Sequence, residues 1–148
     1  MYKHILIPTD GTKTADKAVA SGIDFARESG ARITFFTAMP EFEPPLASEV
    51  MAHKHVVSIE EHERHSAEKA RAILGQALER ARSCGVVCVG DHALSNTPYQ
   101  AIIDAAKHHG CDAIFMSSHG RKGLAKLWYG SETADVLTHS DIPTLVYR

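Results

Sequence analysis

Residues 113–131 read AIFMSSHGRKGLAKLWYGS, and the fold turns on how that stretch is understood. Ala113-Ile114-Phe115-Met116 is an apolar run of the length of a buried strand. It passes into a loop carrying Gly120, Gly123 and the cations Arg121, Lys122 and Lys126. Gly130-Ser131 follows, and a helical pattern is expected from about Ser131 to His139. Glycines let a backbone approach a ligand closely, and the first turn of a helix offers unpaired N–H groups with a partial positive charge. The arrangement suits an anion, and a phosphate chain is the natural one. The residues alone leave a second reading open, an exposed basic loop closed by a helix cap. Neither the Walker A spacing nor Gly-x-Gly-x-x-Gly is present to decide between them.

Working outward, the rest of the chain repeats the strand-then-helix theme. Lys3 to Pro8, KHILIP, is a nearly continuous apolar run typical of a strand covered on both faces. Asp10-Gly11 predicts a turn. A helix is expected from about Thr14 to Ser29, with Ala15, Ala18, Val19, Gly22, Phe25 and Ala26 at helical spacing and Gly30 at its end. Arg32 to Met39, RITFFTAM, reads as the second strand. Residues 40–57, opened by Pro40, Pro44 and Pro45, read as an irregular connection, either a lid or simply a long linker. His53, His55, His62 and His65 gather around it, but no cysteine or well-placed carboxylate completes a zinc set, which favours solvated histidines.

A long helix is expected from Ser58, capped with Glu61 and stopped by Gly85. Its buried stripe is Ala67, Ala70, Leu74, Ala77, Leu78 and Ala81. Val86 to Val89 predicts the third strand. Thr97-Pro98 with Gln100 marks the next helix, carrying Ala101, Ile102, Ala105 and Ala106 and ending at Gly110. Ile142 to Tyr147 predicts the last strand. Five strands alternating with helices give an α/β fold, a doubly wound five-stranded parallel sheet with helices on both faces. Ligands of such sheets sit beyond the carboxyl ends of the strands, where the strand order reverses. The ends of the first strand (Pro8-Thr9-Asp10) and the fourth (Ser117 onward) would flank that crevice. Pro143 confines the last strand to an edge or a strand start, yet it is apolar on both faces. Pairing with the same strand of a second copy, Ile142 to Tyr147 against itself, would cover it; coverage by the chain's own loops is the alternative.

Bulk composition narrows the classes. The 148 residues suit one domain, 44% are hydrophobic and 23% charged, and a formal net charge of −2 argues against a broad nucleic-acid footprint. No apolar run approaches a membrane span, and Met1-Tyr2-Lys3-His4 leads directly into a strand, so a cytoplasmic protein without a signal peptide is expected. The cysteines Cys84, Cys88 and Cys111 lack metal-ligand spacing and read as reduced thiols.

Together the opening ILIPTDGT, the segment AIIDAAKHHGCDAIFMSSHGRKGL and the close GSETADVLTHSDIPTLVYR resemble the universal stress protein family over nearly the whole chain. The resemblance implies one domain over residues 1–148, a dimer through the last strand and, in the ATP-binding branch, a Gly-x-x-Gly, nine residues, Gly-Ser or Gly-Thr motif. Gly120, the nine residues Arg121 to Tyr129, and Gly130-Ser131 match it; Ser117 stands where the first glycine would be. Residue by residue, the resemblance implies that Asp10 faces the ribose or adenine side, with Pro8 and Thr9 lining the pocket and Ala38 packing by adenine. Gly120, Gly130 and Ser131 would meet the phosphates beside His119 and Arg121, and Glu132 completes the set. Asp10 has a rival reading as a turn or cap residue. The cofactor implied is ATP, with Mg²⁺ as an accompanying ion. No general base is evident for a water at a γ-phosphate, so at most slow hydrolysis is expected. The function expected is a nucleotide-responsive dimeric stress regulator. The rival is a nucleotide-free dimeric interaction protein whose site Ser117 has altered.

Overall fold

The computed structural model describes residues 1–118 and 126–148, with the backbone alone for 126–131. Its strands are β1 (His4–Pro8), β2 (Arg32–Met39), β3 (Cys88–Leu94), β4 (Ala113–Ser117) and β5 (Thr144–Tyr147). They form one parallel sheet in the order β3-β2-β1-β4-β5. The helices are α1 (Lys13–Ser29), α2 (Ala47–Met51), α3 (Ile59–Ser83), α4 (Pro98–His108) and α5 (Lys126–His139). The alternating pattern thus yields the doubly wound α/β sheet.

Two cores follow from the period-two alternation of strands covered on both faces. On one face Ile5, Ile7, Ile33, Phe35, Ala113 and Phe115 pack against Val19 and Ile23 of α1 and Leu74 and Ala77 of α3. On the other, Leu6, Phe36, Ile114 and Met116 meet Ile102, Ile103 and Ala106 of α4 and Val136 of α5. Gly22 of α1 lies so close to the sheet that a β-carbon there would come within 2.5 Å of Ile7 Cδ1.

The structure moves several expected boundaries. β3 is Cys88–Leu94, not Val86–Val89, because it is an outer strand. Its register runs from Ile33↔Cys88 to Met39↔Leu94, including Gly90, Asp91 and His92, which give no apolar signal. β5 begins at Thr144 rather than Ile142, since Pro143 has no N–H to donate. The Pro143 carbonyl still accepts from the Ile114 N–H at 2.9 Å. The irregular segment after β2 contains the short helix α2, where the Glu49 carboxylate accepts the Leu46 N–H at 2.9 Å. In α3, Ser66 rather than Ala67 is buried, while the Ser58 cap on the Glu61 N–H, at 3.2 Å, is as expected. The histidines near that segment use local partners: His62 Nε2 donates to the Pro40 carbonyl at 2.8 Å, and His55 Nε2 lies 3.6 Å from Glu61 Oε2.

α5 begins at Lys126, about a turn ahead of the expected Ser131, with Lys126-Leu127 supplying good helix formers. Thr97 precedes α4 but does not cap it with its side chain; its carbonyl accepts the Gln100 N–H at 3.1 Å. The Thr97 φ of −123° and ψ of 77° do not bring the hydroxyl onto the first turn.

Candidate functional site

β1 and β4 pair only at Ile5↔Ala113 and Leu6↔Ile114 among the described residues. Their outer pairings run further, to Pro8↔Phe36 on β2 and Ser117↔Tyr147 on β5. The two central strands therefore part at their carboxyl ends, at the point where the strand order reverses. This is the crevice in which open α/β sheets bind ligands.

On the β1 side, the Thr9 N–H donates to the Phe36 carbonyl at 2.8 Å, carrying the backbone one residue beyond the strand. Thr9 is buried, and its Oγ1 accepts the Gly11 N–H at 3.2 Å. Gly11 turns the chain at a φ of +76°, a conformation that favours glycine, and a β-carbon there would stand 3.1 Å from Ile73 Cγ1 of α3. Asp10 Oδ1 accepts both the N–H (3.0 Å) and the hydroxyl (2.6 Å) of Thr12. Thr12 in turn caps α1, its Oγ1 accepting the Ala15 N–H at 3.3 Å. Asp10 thus holds the turn and, through Thr12, the helix cap.

On the β4 side, Ser117 is buried and its carbonyl accepts the Thr133 hydroxyl at 2.8 Å, which ties α5 to the strand end. The Ser118 N–H donates to the Tyr147 carbonyl at 2.8 Å. His119, Gly120, Arg121 and Lys122 lie outside the described residues, as do the side chains of Lys126 and Ser131. The backbone of Gly130 and Ser131 falls within α5. Those residues are the fifth and sixth of the helix, so their N–H groups belong to its ladder and not to the free first turn expected for them.

Pro8, Thr9, Asp10, Ala38 and Glu132 come together as the lining of a narrow cleft with Phe36, Thr37, Pro98 and Ile102. Its cavity volume is about 30 Å³, room for about one water. Glu132 is 91% buried. Burial raises the pKa of its carboxyl; the Tyr99 N–H, donating to that carboxyl from the first turn of α4, opposes the rise, and Asp135 adds to it. Glu132 Oε2 is buried with no hydrogen-bond partner in the protein.

Phe36, Thr37, Pro98, Ile102 and Thr133 are site residues that the sequence reading passed over. The first four sit in runs that signal only strand, core or helix start, and a single threonine in a helix carries no spacing motif.

A parallel sheet with its central strands parted beside a cleft of small and apolar residues, with Asp10 and Glu132 in its lining, places the protein in the class of doubly wound α/β folds, whose ligands sit at the switch point. The universal stress protein family model matches residues 1–148, and the chain belongs to that family. It is similar to the universal stress protein MJ0577 of Methanocaldococcus jannaschii, at 27% identity over 156 residues, covering 100% of this chain and 96% of that protein. A structure of MJ0577 superposes with a TM-score of 0.77, covering 99% of this chain and 95% of that one at 25% identity. The fold also matches a universal stress protein in complex with cAMP (TM-score 0.69, 23% identity, 99% and 97% covered). It matches as well the Archaeoglobus fulgidus universal stress protein in complex with dAMP (TM-score 0.65, 15% identity, 99% and 98% covered).

Proposed function

We propose that this chain, as one universal stress protein domain over residues 1–148, binds ATP at the carboxyl ends of β1 and β4 and acts as a cytoplasmic, nucleotide-responsive dimeric stress regulator. The observation that carries this reading is the parting of β1 and β4 beyond Leu6 and Ile114, with Asp10 on one lip and Ser117 on the other. Adenine nucleotides held by proteins of the same fold support it. Pro8, Thr9 and Ala38 offer small or apolar surface to the base, and Asp10 an acceptor to the ribose hydroxyls. His119, Gly120, Arg121, Gly130 and Ser131 serve the phosphates. Main-chain contact from Gly130 and Ser131 requires the first turn of α5 to open when phosphate binds. Mg²⁺ accompanies the phosphates, with Asp10 as the carboxylate offered to it. Among the described residues no group of three or more His, Cys, Asp or Glu is placed to hold a metal. Any hydrolysis is slow, for want of a base directed at a water.

A second reading, a nucleotide-free dimeric interaction protein, is favoured by the cleft's volume of about 30 Å³ and by Ser117 in the place of a glycine. Calorimetric titration with ATP and Mg²⁺ separates the two. Micromolar binding by the wild type, lost in Gly130→Val, is expected. Binding only by Ser117→Gly would mean that this hydroxymethyl group closes the site. Absence of binding by all three proteins would reject the nucleotide assignment.

A further inference from the structure

We propose that Glu132 reads the base: its unpartnered carboxylate oxygen accepts a hydrogen bond from the exocyclic amine of an adenine ring in the cleft between the ends of β1 and β2 and the start of α4. This rests on the adenine-nucleotide reading above and extends it to a specificity determinant.

Glu132 has only a small fraction of its surface, 9%, exposed. The Tyr99 N–H faces its carboxyl and lowers its pKa, while Oε2 is buried without a protein partner. An ionisable acceptor left unpaired in a protein interior is costly, and such an exception calls for a function or a bound group. The surroundings say what kind of group. Pro8, Phe36, Ala38, Pro98 and Ile102 supply apolar walls suited to a planar ring, but at about 30 Å³ the cleft holds about one water, so the ring enters only as these walls part and uncover Oε2. A carboxylate repels phosphate, so the same residue turns the phosphate chain away from this end of the cleft and towards the loop after Ser117. It also meets a 6-oxo group as acceptor against acceptor. The site is therefore built for a 6-aminopurine and against its 6-oxo counterpart, a discrimination by unpaired polar groups that apolar contact cannot match.

The test is calorimetric binding of ATP and of inosine triphosphate to wild type and to Glu132→Gln, with circular dichroism as the check on folding. Wild type is expected to prefer ATP by at least about ten-fold, the size of one hydrogen bond to a charged group. In Glu132→Gln the amide oxygen is taken by the Tyr99 N–H, so the amide NH₂ faces the base. The preference is then expected to vanish or to turn towards inosine triphosphate. Glu132→Ala, which offers the base nothing, is expected to bind both ligands alike. Equal binding of the two nucleotides by wild type, or an unchanged ratio in Glu132→Gln, would overturn the role of Glu132 and leave the nucleotide site standing. Failure of wild type to bind either nucleotide would remove both.

Discussion

His4 shows how far a single side chain can depart from what its neighbours in sequence suggest. It opens β1, is buried, and its Nε2 is hydrogen-bonded with Thr34 Oγ1 at 2.7 Å, while Nδ1 has no partner. Burial lowers its pKa from 6.5, Arg32 and His109 push the same way, and Asp112 opposes them. The unfolded chain therefore takes up a proton at His4 before the folded chain does. Stability contributed by the neutral ring is present above 6.5 and lost as pH falls through the lower folded value. Urea unfolding at about pH 7.5 and about pH 5.5 is expected to show a larger loss for wild type than for His4→Gln, by up to about 1.4 kcal/mol, the most that the one pH unit below 6.5 contributes. An equal loss in both proteins would rule the ring out as the source. Nothing in KHILIP announces this, because the charges that shift the ring come from Arg32 of β2, from His109 just after α4 and from Asp112.

At the scale of elements, the site depends on how α1 and α5 are fastened to the sheet. The Thr133 hydroxyl on the Ser117 carbonyl is the buried link between α5 and the end of β4. Thr133→Val keeps the shape and removes that hydrogen bond, so thermal or urea unfolding is expected to report a loss of about 0.5–1.5 kcal/mol. Gly22 brings α1 against β1 and β4; its missing β-carbon would meet Ile7 at 2.5 Å and Phe115 at 3.3 Å. Gly22→Val is expected to cost about 1–3 kcal/mol through overpacking, read as a fall of roughly 2–4 °C in Tm per kcal/mol. Unchanged Tm would mean that the helix can lift without penalty. Helix positions were well marked by local chemistry: Ser58 caps α3, and Gly30, Gly85 and Gly110 follow α1, α3 and α4 at positive φ. Thr97 was not, since whether a threonine caps depends on a backbone angle that its side chain does not dictate, and Glu132 reaches α4 from another helix.

At the scale of the molecule, the sheet ends in two unlike edges. β3 carries Gly90, Asp91 and His92, whereas β5 is Thr-Leu-Val-Tyr. Leu145 and Tyr147 pack on the α1–α3 face, with Tyr147 stacked on Phe115 at 6.5 Å, and Val146 is 40% exposed. An apolar outer strand of this kind is a template for a second copy. Sedimentation of the purified protein is expected to give a dimer, and Val146→Asp to shift it towards monomer with the circular dichroism unchanged. A dimer of undiminished affinity in Val146→Asp would place the interface elsewhere. No described helix is long and apolar enough to cross a membrane.

The sequence by itself determined the alternation of strands and helices, the parallel sheet and the meeting of the first and fourth strands' ends. Apolar runs, helical periodicity and glycine stops are local signals, and they specify elements without reference to the partner. Only the tertiary structure decided that β3 runs through Gly90–Leu94, that β1 and β4 part beyond Leu6 and Ile114, and that Glu132 lies between Tyr99 and the cleft with one oxygen unpaired. Those facts belong to pairs of segments far apart in the chain. The pairing of an outer strand and the desolvation of a carboxylate are set by what the neighbouring element brings, and no spacing within one segment encodes that.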